Sequence, residues 1–160
     1  LKVWGNLPSN FTSPLLFPLV EFAPHIDVQV IMVQKVVVER LVAASATKAY
    51  GRLSVMLQSR YEMTDLFVVP PHAFVLAPKV TSAIVRMVPR NPTQLLATDE
   101  AHLSKLVTTA FSQRRKMLRN TLADMVTQEQ LIACDIAPTA RAEELSVAKF
   151  VQLSNYLLAQ

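Results

Sequence analysis

The stretch from Asp27 to Gln34, DVQVIMVQ, constrains the fold more than any other part of the chain. It is rich in β-branched residues and apolar on both of its faces. This pattern is typical of a central strand that is buried on both sides of a sheet. The chain is therefore predicted to contain a sheet layer with this strand inside it.

The segments around this strand supply the other parts of an α/β layer. Residues 2–5 are predicted to end a strand, and Pro14 is predicted to open a helix that runs to about Glu21. Two further helices and then two further strands are predicted, over Lys35 to Ala44, Arg52 to Tyr61, Leu66 to Val69 and Ser82 to Val88. This order of elements predicts the fold class α/β, with a partial Rossmann-like sheet.

The proline-containing stretch 89–98, PRNPTQLLAT, is predicted to separate this layer from a helical segment. Beyond it the apolar residues follow a helical period, and Thr127 with Gln130 forms a capping box. Two stripes are predicted to face a core: Leu103, Leu106, Val107, Ala110 and Phe111, then Val147, Phe150, Val151, Ser154 and Leu158. The predicted domains are residues 1–90 and residues 99–160.

Composition sets the broad class of the protein. Of the 160 residues 51% are hydrophobic, which is enough for a packed core, and no apolar run is long enough to span a bilayer. The only cysteine, Cys134, allows no internal disulfide, so a cytoplasmic location and no membrane partner are predicted. Because a strand is predicted directly after Leu1, we expect that part of the protein precedes this residue.

The formal charge of +4 is unevenly distributed. From Asp99 onward seven Lys or Arg balance seven Asp or Glu, yet four of these cations fall within six positions: Arg114, Arg115, Lys116 and Arg119. Such a run is either the solvated face of a helix or a place that binds phosphates. Arg52 and Lys79 are weaker candidates for the same role.

A turn follows the first strand, in the sequence Gly5-Asn6-Leu7-Pro8-Ser9. Because Leu7 precedes a proline, we expect it to be extended, with its carbonyl not committed to a helix. That carbonyl and the amide oxygen of Asn6 could accept the two hydrogens of an exocyclic amine and leave its lone pair free. The alternative is a plain connection between a strand and a helix.

The segment 70–79 is too rich in proline for regular structure, and it carries Phe74. This side chain is either a core residue or a stacking surface at the rim of a pocket. His25, His72 and His102 lie far apart without ligand spacing, and so no metal site is predicted. Neither glycine belongs to a G-x-G motif, so no phosphate-binding loop is predicted.

Five blocks occur in an order and spacing that resembles the KsgA-type small-subunit ribosomal RNA adenine N6,N6-dimethyltransferases. They are GNLPSNFTSPL, QKVVVERLVA, KAYGRLSVM, PPHAFVLAPKVTSAIVRMVP and FSQRRKMLRNTL, and together they cover essentially the whole chain.

The resemblance implies an enzyme that uses S-adenosylmethionine to dimethylate adenines of 16S ribosomal RNA. It implies that Asn6, Leu7, Pro8 and Ser9 form the catalytic turn, with Asn6 also touching the cofactor, and that Phe74 stacks on the flipped adenine. It also implies that the basic run holds the RNA of the small subunit. We expect a monomer.

Two departures from the family pattern bear on activity. Ser9 stands where the family has an aromatic residue, and Leu76 and Ala77 stand where prolines are usual. The glycine-rich cofactor loop of the family is absent, so the 160 residues alone are expected to be inactive. The rival hypotheses are a non-catalytic RNA-binding or ribosome-assembly module, and a related resistance methyltransferase or organellar transcription factor of the same fold.

Overall fold

The structure is a computed structural model that describes residues 2–6, 16–18, 27–76, 79–91, 94 and 96–160. Four strands are present in these ranges: β1 (Lys2–Asn6), β2 (Val28–Gln34), β3 (Tyr61–Val69) and β4 (Ser82–Pro89). Six α-helices are present in the same ranges: α1 (Lys35–Leu41), α2 (Arg52–Gln58), α3 (Glu100–Ala110), α4 (Leu118–Thr121), α5 (Gln128–Ala133) and α6 (Val147–Leu158). The helix predicted from Pro14 to Glu21 lies outside the described residues, except for 16–18.

The four strands form one mixed sheet in the order β1-β2-β4-β3. β1 is parallel to β2, and β4 runs antiparallel to both of its neighbours. In this register Asn6 is opposite Met32, while Gln34 and Val69 are both opposite Ser82. The carboxyl ends of β1, β2 and β3 therefore meet at one edge of the sheet, called here the carboxyl edge. The predicted α/β fold class is confirmed.

The sheet is covered on one face. Gln29, Ile31 and Val33 of β2 are buried on the side where α1 and α2 pack, whereas alternate residues such as Val30 and Met32 are only partly buried. The predicted burial of β2 on both sides is wrong for the described residues, because the residues that alternate with Gln29, Ile31 and Val33 are only half-buried. We call the other side the open face.

The helix and strand predictions hold for type and differ at the boundaries. α1 ends at Leu41, and Ala44, predicted to be its last residue, is exposed beyond it. Tyr61 was predicted to close a helix, but it opens β3, which is longer than expected. Its aromatic ring is completely buried, and the strand conformation brings its hydroxyl to a polar group on β2.

The helical segment follows its predicted periodicity closely. The first stripe is buried from Leu103 to Ala110, and α5 opens with the predicted capping box. In α6, Phe150, Val151 and Ser154 are buried as expected. Leu158 is 44% exposed instead, because it lies in the last turn of α6, near the end of the chain.

The sheet and the helical segment pack against each other. Tyr50, ahead of α2, has its ring against Phe111, which in turn lies 5.8 Å from the ring of Phe150. The Tyr50 hydroxyl donates to the backbone carbonyl of Leu145 over 2.6 Å. The division into residues 1–90 and 99–160 stays a prediction.

No helix in the described part of the chain is both long enough and apolar enough to cross a bilayer.

A buried polar pair inside the sheet provides a test of the packing. The side-chain amide of Gln29 donates to the Tyr61 hydroxyl over 2.9 Å, and both side chains are fully buried. Burial also raises the pKa of Tyr61 to about 12. Replacement of Tyr61 with phenylalanine should cost about 1–3 kcal/mol of unfolding free energy, because the buried amide loses its partner.

Urea unfolding measures this loss. The double variant Tyr61→Phe with Gln29→Met removes both polar groups and should recover most of it, since no buried donor is then left without a partner. Equal losses in the single and the double variant would contradict this account.

Candidate functional site

The carboxyl edge holds two of the residues predicted to form the catalytic site. Asn6 is the last residue of β1 and is exposed. The loop after β3 returns to the same edge, where the backbone N–H of Lys35 donates to the carbonyl of Thr81 over 2.9 Å. The fold thus brings Asn6 and the Phe74 loop to one edge, although they are far apart in the sequence.

Phe74 is half-buried in this loop. It follows a short 3-10 helix, Pro71–Ala73, which was not predicted, and its N–H donates to the carbonyl of Pro71 over 3.2 Å. The next residues, Val75 and Leu76, are almost completely exposed. Phe74 therefore lies between the body of the protein and solvent, as a rim residue would.

Leu7, Pro8 and Ser9 lie outside the described residues. Their predicted roles rest on the sequence and on the family resemblance, and they stay predictions.

The side chains of β1 alternate, so Asn6 shares the open face of the sheet with Trp4, which is 75% exposed. An open pocket of about 350 Å³ lies on this face. The side chains that line it include Trp4, Val30, Met32, Leu66, Phe67 and Ile84, and the lining is almost entirely apolar. Asn6 thus provides a polar group beside an apolar surface that could receive a flat ring.

Three residues of the basic run, Arg114, Arg115 and Lys116, lie in a turn, whereas Arg119 lies in α4. The run begins after the 3-10 helix Phe111–Gln113 and ends in α4. Arg115, Lys116 and Arg119 are exposed, and no acid in the described part of the chain forms an ion pair with them. The simple explanation of a solvated helix face is therefore wrong for Arg115 and Lys116.

Arg114 differs from its neighbours because its guanidinium is bound within the protein. Nη2 donates to the carbonyls of Thr47 and Lys48, at 3.1 and 3.2 Å, and pairs with Glu143 Oε2 at 3.1 Å. Only 38% of its side chain is exposed. The structure thus separates one residue of the run from the three exposed cations.

Arg141 is a further exposed cation, which no sequence pattern singled out. An isolated bridge pairs it with Met117, and the N–H of Leu118 donates to the carbonyl of Ala140 over 2.7 Å. Arg141 therefore lies beside the basic run, although two glutamates follow it closely in the sequence. The basic surface is defined here as Arg115, Lys116, Arg119 and Arg141.

The two weaker RNA candidates are both exposed. The guanidinium of Arg52 stacks over the ring of Phe17, 4.4 Å from its centroid, at the start of α2. Lys79 lies at the end of the Phe74 loop, and so on the carboxyl edge. Their roles stay predictions.

In the described ranges, no three His, Cys, Asp or Glu side chains lie close enough together to hold a metal ion. His102 instead contacts the buried hydroxyl of Ser154 through Nδ1 at 2.7 Å. Burial raises the pKa of the Cys134 thiol, which favours its neutral form.

Solved structures define the class of the fold. A dimethyladenosine transferase from Plasmodium falciparum superposes with a TM-score of 0.83 at 24% identity, over 96% of this chain and 65% of that one. The 23S rRNA methyltransferase ErmE superposes with a TM-score of 0.69 at 21% identity, over 98% and 65%. The fold is that of the Rossmann-like methyltransferases.

The chain belongs to the ribosomal RNA adenine dimethylase family, whose model matches residues 1–159. Ribosomal RNA small subunit methyltransferase A of Janthinobacterium sp. (strain Marseille) is 54% identical over 157 residues, which are 98% of this chain and 61% of the relative. The protein of the same name from Proteus mirabilis (strain HI4320) is 48% identical over 160 residues, 100% of this chain and 59% of the relative. The chain thus spans about three fifths of these relatives.

Proposed function

We propose that this protein transfers methyl groups from S-adenosylmethionine to the N6 atoms of adenines in small-subunit (16S) ribosomal RNA during ribosome biogenesis. The observation that carries the proposal is the meeting of Asn6 and the Phe74 loop at the carboxyl edge, where α/β sheets bind their ligands. The names of the relatives support the substrate. The activity is proposed for the whole protein, of whose relatives this chain spans three fifths.

The proposed chemistry is the orientation of an amine. The side-chain oxygen of Asn6 and the carbonyl of Leu7 accept its two hydrogens, with Pro8 shaping the turn, so that its lone pair points at the methyl group. S-adenosylmethionine, when bound, supplies that methyl group in activated form. Asn6 on the open face fits such a cofactor as a polar contact. Most of the rate enhancement would come from position, because a free amine needs no strong general base to attack.

Phe74 is proposed to stack on the target base. An adenine inside a stacked helix cannot present its amine, so it must leave the stack. A half-buried aromatic at the rim supplies a surface for the displaced ring, worth about 1–3 kcal/mol per base. Ser9 removes one such surface relative to the family pattern, which gives Phe74 a larger share of the task.

The basic surface is proposed to hold the RNA backbone, with Lys79 and Arg52 as further contacts. Replacing Arg115 or Arg141 with glutamine should each lower the slope of log affinity against log salt by about 0.7–0.9, since each removes one phosphate contact. Filter binding to small ribosomal subunits over a series of salt concentrations measures the slope. Lys2→Gln is the control, because Lys2 lies at the start of β1, at the opposite end of that strand from Asn6, and should leave the slope unchanged.

The proposal is tested by incubating the protein with labelled S-adenosylmethionine and unmethylated small ribosomal subunits. Label on adenine supports it. Binding to the subunits without any transfer of label would favour the rival hypothesis, a non-catalytic RNA-binding module. The proposal includes a monomer acting in the cytoplasm, and sedimentation of the protein alone measures its oligomeric state.

A further inference from the structure

The loop of residues 44–50, before α2, forms several hydrogen bonds with the helical segment. The N–H of Ala46, a residue with a positive φ of 65°, donates to the carbonyl of Glu143 over 2.6 Å. Tyr50 donates to the carbonyl of Leu145, and Arg114 donates to two carbonyls of the loop. A positive φ is unfavourable for alanine, so these contacts hold the loop in a conformation that it would rarely adopt alone.

Arg114 is the centre of this connection. Its Nη2 has acceptors on two segments, the carbonyls of Thr47 and Lys48 and the carboxylate of Glu143. If Arg114 turned outward to a phosphate, the carbonyl of Lys48 and the partly buried carboxylate of Glu143 would lose this donor, whereas the carbonyl of Thr47 would keep the N–H of Tyr50 at 3.2 Å. All three acceptors contact the one nitrogen Nη2, at the far end of the long arginine side chain.

Lys48 is placed near the basic surface by the same contacts. Its carbonyl is 3.2 Å from the guanidinium of Arg114, the residue directly before Arg115. Its own side chain is exposed, and no acid in the described ranges pairs with it. Its charge is therefore available to a polyanion that binds at the basic surface.

We propose that Arg114 is a positioning residue, which holds the 44–50 loop against the basic surface so that Lys48 contacts a phosphate of the bound RNA. The proposal rests on the RNA-docking part of the proposed function. It divides the basic run into an internal connection, Arg114, and the RNA contacts Arg115, Lys116 and Arg119. The proposal also adds one RNA contact, Lys48, from the loop before α2.

The test compares two substitutions that keep the positive charge. Arg114→Lys keeps the charge, but the shorter lysine side chain does not bring its nitrogen to the position of Nη2, whereas Arg115→Lys still offers a cation to a phosphate. Filter binding to unmethylated small ribosomal subunits is measured over a series of salt concentrations, with circular dichroism confirming that each variant is folded. Two further variants, Lys48→Gln and the double variant Arg114→Lys with Lys48→Gln, complete a double-mutant cycle for these two residues.

We expect Lys48→Gln to lower the salt slope by about 0.7–0.9 and the affinity at 0.1 M salt by roughly fivefold to eightfold. Arg114→Lys should cause a similar loss although no charge is removed, Arg115→Lys should leave the slope unchanged, and the double variant should lose no more than Lys48→Gln alone. A residue that merely stabilises the fold would not change the slope.

Three results would overturn the proposal. An unchanged slope in Lys48→Gln excludes the phosphate contact, and this variant removes only an exposed side chain, so it stays informative even if Arg114→Lys is unstable. Losses that multiply in the double variant would show that the two residues act independently. Absence of any binding by the parent protein would overturn the proposed RNA docking as well, which distinguishes that failure from the first two.

Discussion

Replacing Asn6 with alanine is expected to lower the rate of methyl transfer about 100- to 1,000-fold, the range observed when one preorganised hydrogen-bonding group is removed from an active site. The amide oxygen would no longer hold the target amine, whose lone pair would lose its direction. Stability should change little, because Asn6 is exposed at the end of β1. Transfer of labelled methyl groups to small subunits measures the rate.

Two further variants make this prediction specific. Asn6→Asp keeps an acceptor oxygen and should lose less activity than Asn6→Ala. Lys2→Ala, at the opposite end of the same strand, should retain the activity of the parent protein. A rate for Asn6→Ala within threefold of the parent, with RNA binding intact, would remove Asn6 from the catalytic turn.

Replacing Arg60 with methionine is expected to lower the unfolding free energy by about 3 kcal/mol, at the lower end of the range for breaking a buried ion pair. Arg60 pairs through Nε with Glu100 Oε1, and the two side chains are only 18% and 22% exposed. The second oxygen, Oε2, is buried without a hydrogen-bond partner in the described ranges. The carboxylate would therefore lose its ion-pair partner.

A double variant, Arg60→Met with Glu100→Leu, is the control in denaturant unfolding. It should be much closer to the parent protein, because no unpaired charge remains. A cost below 1 kcal/mol for the single variant would show that solvent already screens the pair.

The pH dependence of the same variant follows from the pKa of Glu100. Burial raises this pKa above the ordinary value of 4.5, while the charge of Arg60 opposes the rise. A carboxyl with a raised pKa in the folded state adds stability at low pH and loses it as pH rises through that pKa. Arg60→Met removes the opposing charge. The difference in unfolding free energy between the parent protein and this variant should therefore shrink as pH falls from about 7 towards 4.5.

Periodicity predicted the elements whose burial follows a simple pattern. The stripe from Leu103 to Ala110 is such a case, because one buried face repeats along the helix. The strand from Val28 to Gln34 was predicted from its β-branched, apolar residues, and its one-sided burial differs from the prediction. Tyr61 was assigned to the wrong element, since nothing local to it indicates the partner amide of Gln29 on a distant strand. Boundaries set by tertiary contacts are not encoded in local propensity.

The candidate site was predictable where one segment carries the signal. The basic run is one continuous segment of the sequence, and so is the turn at Asn6. The family resemblance assigned a role to each of them. Arg141 was missed because only the bridge to Met117 brings it to the run. Arg114 was grouped with its neighbours because sequence shows its charge but not the two carbonyls and the carboxylate that engage it.

The strand order β1-β2-β4-β3 has a consequence for how the chain folds. β3 and β4 are adjacent in sequence and pair as a hairpin across residues 70–81, so they can meet early at little loop-closure cost. α1, α2 and β3 separate β2 from β4 in the sequence, so the pairing of β2 with β4 closes a much longer loop. Assembly of the carboxyl edge, and with it the placing of Asn6 near the Phe74 loop, is therefore expected to be a late kinetic event.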